Sequence, residues 1–167
     1  LPSNHFDKRG RAVMVDVSAK EPSLRTAVVQ AQLKMKPETL SALLAGTMRK
    51  GDVLAVARLA GIGASKKTPE LIPLAHPLAL HHVSVEFAAT EGDDLLHIQA
   101  TVTAYERTGV EMEAMVAAST ASLAVYDMCK GSDRAMVIQQ IRLVYKAGGR
   151  SGIFKGEGAH ECSAFDS

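Results

Sequence analysis

Residues 82–130 read HVSVEFAATEGDDLLHIQATVTAYERTGVEMEAMVAASTASLAVYDMCK, and this stretch decides the fold. From His82 to Ala89 the apolar side chains of Val83, Val85 and Phe87 fall on every second position, the period of a half-buried strand. Leu95 to Tyr105 repeats that pattern, and Glu91-Gly92-Asp93-Asp94 supplies a polar, glycine-containing turn between two antiparallel strands. Gly109 to Lys130 then abandons alternation for a long Ala- and Ser-centred run, which predicts a helix of about six turns. Gly131 terminates it.

Working outward, Met136 to Lys146 reads as a final strand, followed by Gly148-Gly149-Arg150-Ser151-Gly152. On the other side, Ser23 to Met35 is partly β-branched and alternates around Val28, Val29, Leu33 and Met35, so strand competes with helix and strand is preferred. Pro37 opens a helix through Leu44, with Gly46 as its stop. A second helix is predicted from Asp52 to about Ser65, with Val53, Val56, Ala57 and Ala60 at helical spacing behind an Asp N-cap. Pro69, Pro73 and Pro77 make Thr68 to Leu80 an irregular, apolar connection, a candidate wall for a site. Ala12 to Val17 reads as a short strand. The predicted class is therefore α+β: a ferredoxin-like (βαββαβ) plait with an inserted helix in the first crossover, its antiparallel sheet covered by helices on one face. The chain is expected to divide into a flexible N-terminal segment at 1–11, a single α+β domain at 12–152 and a flexible C-terminal tail at 153–167.

The whole composition agrees with one compact domain. At 167 residues, 47% hydrophobic and 22% charged, the chain falls outside the disordered and collagen-like classes. A formal net charge of +1 gives no general field for polyanions, so any anion site must come from a local gathering of lysines and arginines. Cys129 and Cys162 form no CxxC pair, and the histidines show no HExxH spacing, so a resident metal is not expected. No apolar run approaches a membrane span and no signal-type segment follows Leu1, where the start reads as trimmed. A soluble protein of the reducing cytoplasm is expected.

Several side chains could carry chemistry. Asp127 and Lys130 lie three apart on one helix face in a mostly apolar segment; the spacing fits a proton-transfer pair and fits equally a solvated ion pair at a helix end, the commoner outcome. Glu111 and Glu113 occupy the first turn, where the helix dipole already favours carboxylates. Glu113 lies about 21 Å along the axis from Asp127, too far for both to act on one small centre from one chain; the two can serve one extended ligand or belong to sites assembled from two chains. His76, held between Ala75 and Pro77, reads either as a packed histidine or as a polar group fixed in a site wall. Lys20, Arg25, Lys50, Lys66, Lys67, Lys130, Lys146 and Arg150 lie almost all at element ends or in glycine-containing loops; if the fold brings several together they make a phosphate pocket, and otherwise they are ordinary solubilising charge. No P-loop motif is present.

Five strings read together give a resemblance: Met14-Val15-Asp16-Val17-Ser18, Lys50-Gly51-Asp52-Val53, Leu71-Ile72-Pro73-Leu74-Ala75-His76-Pro77-Leu78, Thr108-Gly109-Val110-Glu111-Met112-Glu113-Ala114 and Tyr126-Asp127-Met128-Cys129-Lys130. The set is similar to the molybdenum-cofactor biosynthesis protein C family, the cyclic pyranopterin monophosphate synthases, over about 13–152. The resemblance implies a lyase that converts a cyclised dihydro-GTP to cyclic pyranopterin monophosphate with release of pyrophosphate. It implies that Asp127 and Lys130 are the central acid/base pair and that Lys50 and Lys146 are further catalytic or phosphate-neutralising lysines. It implies substrate contacts at Leu74, Ala75, His76, Met112 and Glu113, and anion contacts at Arg25, Lys20 and Lys66. No cofactor is called for, although the phosphates can bring Mg²⁺. Family members usually carry Cys where this chain has Ala75, so a thiol role is closed here while backbone contacts survive.

The same resemblance implies a homohexamer, a trimer of dimers with sites at subunit interfaces. Ala114, Ala117, Ala118, Ala121 and Ala124 offer a small-residue helix surface, and an open sheet with an apolar face would be covered by a partner. The competing class is a catalytically inactive nucleotide- or pterin-binding plait. An RNA-binding plait stacks bases on sheet aromatics, and 4% aromatic residues with no RNP-type motif leave that reading little support.

Overall fold

The structure is a computed structural model of the chain and describes residues 5–89, 94–150, 152–156 and 165. Strand β1 (Ser23–Lys34) leads into helices α1 (Pro37–Leu44) and α2 (Val53–Ser65) and the single turn α3 (Thr68–Leu71). Strands β2 (His82–Ala88) and β3 (Leu95–Glu106) follow, then helix α4 (Glu111–Cys129), strand β4 (Val137–Ala147) and the short β5 (Phe154–Lys155). The sheet order is β2-β3-β1-β4-β5, every pairing antiparallel. That is the ferredoxin-like plait with one added edge strand.

Alternation sets which side of the sheet is dry. On β1, Ala27, Val29, Ala31 and Leu33 are buried and stand opposite Val102, Ala100, Ile98 and Leu96 of β3. Val85 of β2 joins the same face opposite Ala100. Helix α4 covers this face, burying Ala114, Ala117, Ala118, Ala121, Val125 and Cys129. Helix α2 then packs on α4 through a stripe of every fourth residue, Val53, Ala57, Gly61 and Ser65. Asp52 caps it by accepting from the Ala55 N–H at 2.9 Å, worth about 1 kcal/mol. Val56, expected at the contact, is largely exposed, because the small residues one position later bring the helices together.

Gly61 marks the closest approach. A β-carbon there would stand 2.8 Å from the Ala117 carbonyl oxygen, 3.1 Å from Val85 and 3.3 Å from Ala121. Gly61→Ala should therefore lower the Tm, because overpacking against backbone costs about 1–3 kcal/mol, more than the roughly 1 kcal/mol that alanine gains in a helix. Gly63→Ala meets nothing within 4 Å and should raise it; calorimetry on the two variants checks the contrast.

Several expectations need correction. Residues 12–17 form no strand beyond a bridge between Ala12 and Phe6: they alternate, but a strand also needs a partner ladder, and neither sheet edge provides one here. Thr68–Leu71, expected to be irregular, closes one helical turn, which tolerates Pro69 within its first turn. Phe154–Lys155, assigned to the tail, pairs with Lys146 and Tyr145. The expected turn at 91–94 lies, apart from Asp94, outside the described residues. The small-residue surface of α4 is used inside the chain, since Ala114, Ala117, Ala118 and Ala121 are fully buried and Ala124 is half-buried. The open face of the sheet is polar rather than apolar: Gln30 bonds to Gln99 at 2.9 Å and Gln140 to Gln32 at 2.7 Å.

Candidate active site

The N-terminal end of α4 opens onto two adjoining clefts that share Lys20, Thr108, Gly109 and Glu111 as walls. The first, about 770 Å³, gathers Lys20, Arg25, Arg107, Lys146 and Arg150 against only Glu21 and Glu111. A chain with a net charge of +1 thus concentrates its cations at one mouth, which is how a near-neutral protein holds a polyanion. Arg25 is fixed from β1 by donating to the carbonyls of Glu106 at 3.0 Å and Arg107 at 3.2 Å. The loop after β4 folds around it: Gly149, at φ +72°, places its backbone where any β-carbon would collide with the Arg25 guanidinium. Lys146, from β4, points to the helix side and pairs with Glu111 at 2.8 Å.

The second cleft, about 660 Å³, is more apolar. Leu74, Ala75, His76 and Leu78 form one wall, and Val15 and Val17 form another. Met112 and Glu113 complete it from α4. The proline-rich connection thus forms a wall of this cleft. Glu113 is only 3% exposed, and burial pushes its carboxyl up to about 7, helped by the negative charge of Glu111 and opposed by its own backbone N–H.

That raised pKa has a consequence for stability. A carboxyl at about 7 in the folded chain against 4.5 outside it binds a proton more tightly when folded, so its contribution is complete below pH 4.5 and is lost as pH rises through 7. The loss is at most about 3 kcal/mol. Glu113→Gln should flatten the fall in stability between those two pH values, and urea denaturation at pH 5 and pH 8 measures it.

A second group sits at the far end of the same helix. Lys130 holds Asp127 at 2.6 Å, and Lys50, from the loop before α2, donates to the Asp127 carbonyl at 2.9 Å with its carboxylate 3.8 Å away. The hydrogen bond from Lys130, its charge and that of Lys50 hold the Asp127 carboxyl below the usual carboxylate range, and the same bond raises Lys130. All three side chains are half or more exposed, so within one chain the aspartate and lysine are fixed in their charged forms.

The structure therefore splits the expected catalytic set. Asp127, Lys130 and Lys50 meet at one end of α4, while Lys146 stands with Lys20, Arg25, His76, Met112 and Glu113 around the two clefts at the other. Lys66 caps the end of α2, is exposed and lines neither cleft. Arg107 and the role of Glu111 as partner to Lys146 escaped the sequence reading. Arg107 directly precedes Thr108-Gly109, the one available signal. Glu111 already had a sufficient helix-dipole reason to be there.

Comparison with known proteins bears on this arrangement. The model of the MoaC family matches residues 14–149, the great majority of the chain. The chain belongs to the MoaC family. Among its relatives, a cyclic pyranopterin monophosphate synthase of Geotalea uraniireducens is 64% identical over 154 residues, 92% of this chain and 96% of that one. Those of Geobacter sulfurreducens and Roseiflexus sp. are 58% and 56% identical, covering 92% and 90% of this chain. The MoaC-matched span begins in the Met14–Ser18 segment and ends at Gly149, beside Arg25, so it contains every candidate from Lys20 to Lys146. Arg150 falls one residue beyond it. Among the described residues no helix is long and apolar enough to cross a membrane, and no group of three or more His, Cys, Asp or Glu could hold a metal ion.

Proposed function

We propose that this chain is a cyclic pyranopterin monophosphate synthase, a lyase of molybdenum cofactor biosynthesis that converts 3',8-cyclo-7,8-dihydro-GTP to cyclic pyranopterin monophosphate and releases pyrophosphate. The observation that carries the reading is the near full-length identity to synthases of that name. The geometry supports it independently, because a cationic cleft adjoining an apolar one suits a substrate with a triphosphate at one end and a fused ring at the other.

In this reading the cations of the first cleft, Lys20, Arg25 and Lys146 among them, neutralise the phosphates while the inner phosphate is attacked. Leu74 to His76, Met112 and Glu113 border the ring, and the neutral form of Glu113 near pH 7 leaves an acidic proton available beside it. Asp127 and Lys130 move protons during ring opening and reclosure, with Lys50 beside them. Lys66 supplies outer anion attraction. Fixed charges on a solvated surface are poor proton-transfer groups, so Asp127 and Lys130 need a further surface to desolvate them. A second copy of the chain provides that surface in the homohexamer, a trimer of dimers with shared sites. The reading calls for no resident cofactor, although the phosphates can bring Mg²⁺, and for a cytoplasmic enzyme with neither nucleic acid nor membrane as partner. Incubation of the purified protein with the cyclic dihydro-GTP should release pyrophosphate. Binding without any release would instead support an inactive pterin-binding plait.

A further inference from the structure

The segment Val13–Ser18 runs along the second cleft without belonging to any strand, yet Val15 and Val17 form part of the cleft wall. A stretch of chain with no ladder on either side needs other anchors to stay in place. Two are visible, and both are long-range side-chain donors to its backbone carbonyls. His76 Nε2 lies 2.8 Å from the Val15 carbonyl, and Arg107 Nη1 donates to the Ser18 carbonyl at 3.0 Å. Between them Asp16 accepts from the Ser18 N–H at 2.9 Å, which stiffens the span from within. Upstream, Val13 N–H donates to the His5 carbonyl at 2.9 Å.

We propose that His76 and Arg107 are positioning residues: they clasp the 13–18 segment by its carbonyls and so hold one wall of the ring-binding cleft. A carbonyl oxygen can only accept, so Nε2 carries the hydrogen and the neutral imidazole is the Nε2–H tautomer. The rigid backbone around Pro73 and Pro77 supports His76, and the carbonyl contacts made by Arg25 tie down the residues where Arg107 begins. Each clasp thus connects the unpaired segment to a rigid part of the fold. His76 then acts on the reaction through the wall it holds and needs no proton transfer of its own.

Glutamine and asparagine separate the possibilities at position 76. A Gln amide nitrogen reaches the place of Nε2 and can still donate to Val15, whereas an Asn amide is too short and offers only a group near Nδ1. Thermolysin, which cuts on the amino side of large apolar residues, reads whether Val13 to Val17 is held. Loss of one such hydrogen bond should speed cleavage about tenfold. Wild type and His76→Gln are expected to resist alike, His76→Asn and Arg107→Ala to be cut faster, and the double variant fastest of all.

The turnover assay supplies a second arm and rests on the proposed function. His76→Asn should raise KM more than it lowers kcat, and His76→Gln should recover part of that loss. Proteolysis reads the clasp even if the substrate assignment fails, so the two failures are distinguishable. Unchanged cleavage in every variant overturns the proposal. A His76→Gln protein whose segment resists thermolysin but whose activity is as low as that of His76→Asn overturns it as well, since His76 would then act directly on substrate.

Discussion

Asp127→Ala and Lys130→Ala are each expected to lower turnover by about 10²- to 10⁴-fold, the range typical of a lost proton-transfer group, while the melting temperature stays close to wild type. The second half of that expectation follows from the structure. Within the chain both side chains are more than half exposed, so truncation opens no cavity in its core, and their ion pair is of the solvated kind that contributes little to stability. A large loss of rate without loss of stability is what distinguishes a reacting group from a structural one. Asp127→Asn sharpens the test, because it keeps the shape and removes the carboxylate charge that raises Lys130. Pyrophosphate release together with circular dichroism measures both parts. Most of the activity surviving in either variant would remove that residue from the acid/base pair.

The plait was legible because period decides burial. The alternation at Val83, Val85 and Phe87, the parallel run from Leu95 to Tyr105 and the long helix after Gly109 each commit one face to the core. The loss of the expected strand at 12–17 has the opposite cause: its pattern is local, but its structure depends on the side chains of His76 and Arg107, some 60 to 90 positions away. The contact of α2 with α4 likewise runs through Gly61 and Ala57 rather than Val56, which hydrophobicity alone ranks higher. At the site, family motifs marked Lys146 and Glu113, but spacing could not show that Lys146 takes Glu111 as partner or that burial lifts Glu113 to about 7. Arg107 lay outside every motif, since its use is to hold a carbonyl that only the fold brings near.

Two expected reasons for oligomerisation fail in the structure, the alanine surface of α4 being consumed internally and the open sheet face being polar, but the geometric reason gains strength. Fourteen residues of helix separate Glu113 from Asp127, about 21 Å along the axis. Lys146 pairs with Glu111 beside Glu113, and Lys50 with Asp127, so the division extends to all four expected catalytic residues. If both groups serve one reacting centre, each site takes one group from each of two chains. A Lys146→Ala protein and an Asp127→Ala protein, each inactive alone, should then complement when dissociated, mixed in equal amounts and reassembled. Random pairing puts both lesions in one site of a mixed pair and none in the other, so about a quarter of all sites become intact and about a quarter of wild-type activity should return. Native mass spectrometry of differently labelled chains verifies that subunits have exchanged. Exchange without recovered activity, or a monomer that turns over substrate, would show that one chain reaches its substrate with both ends of α4 and that the shared site is wrong.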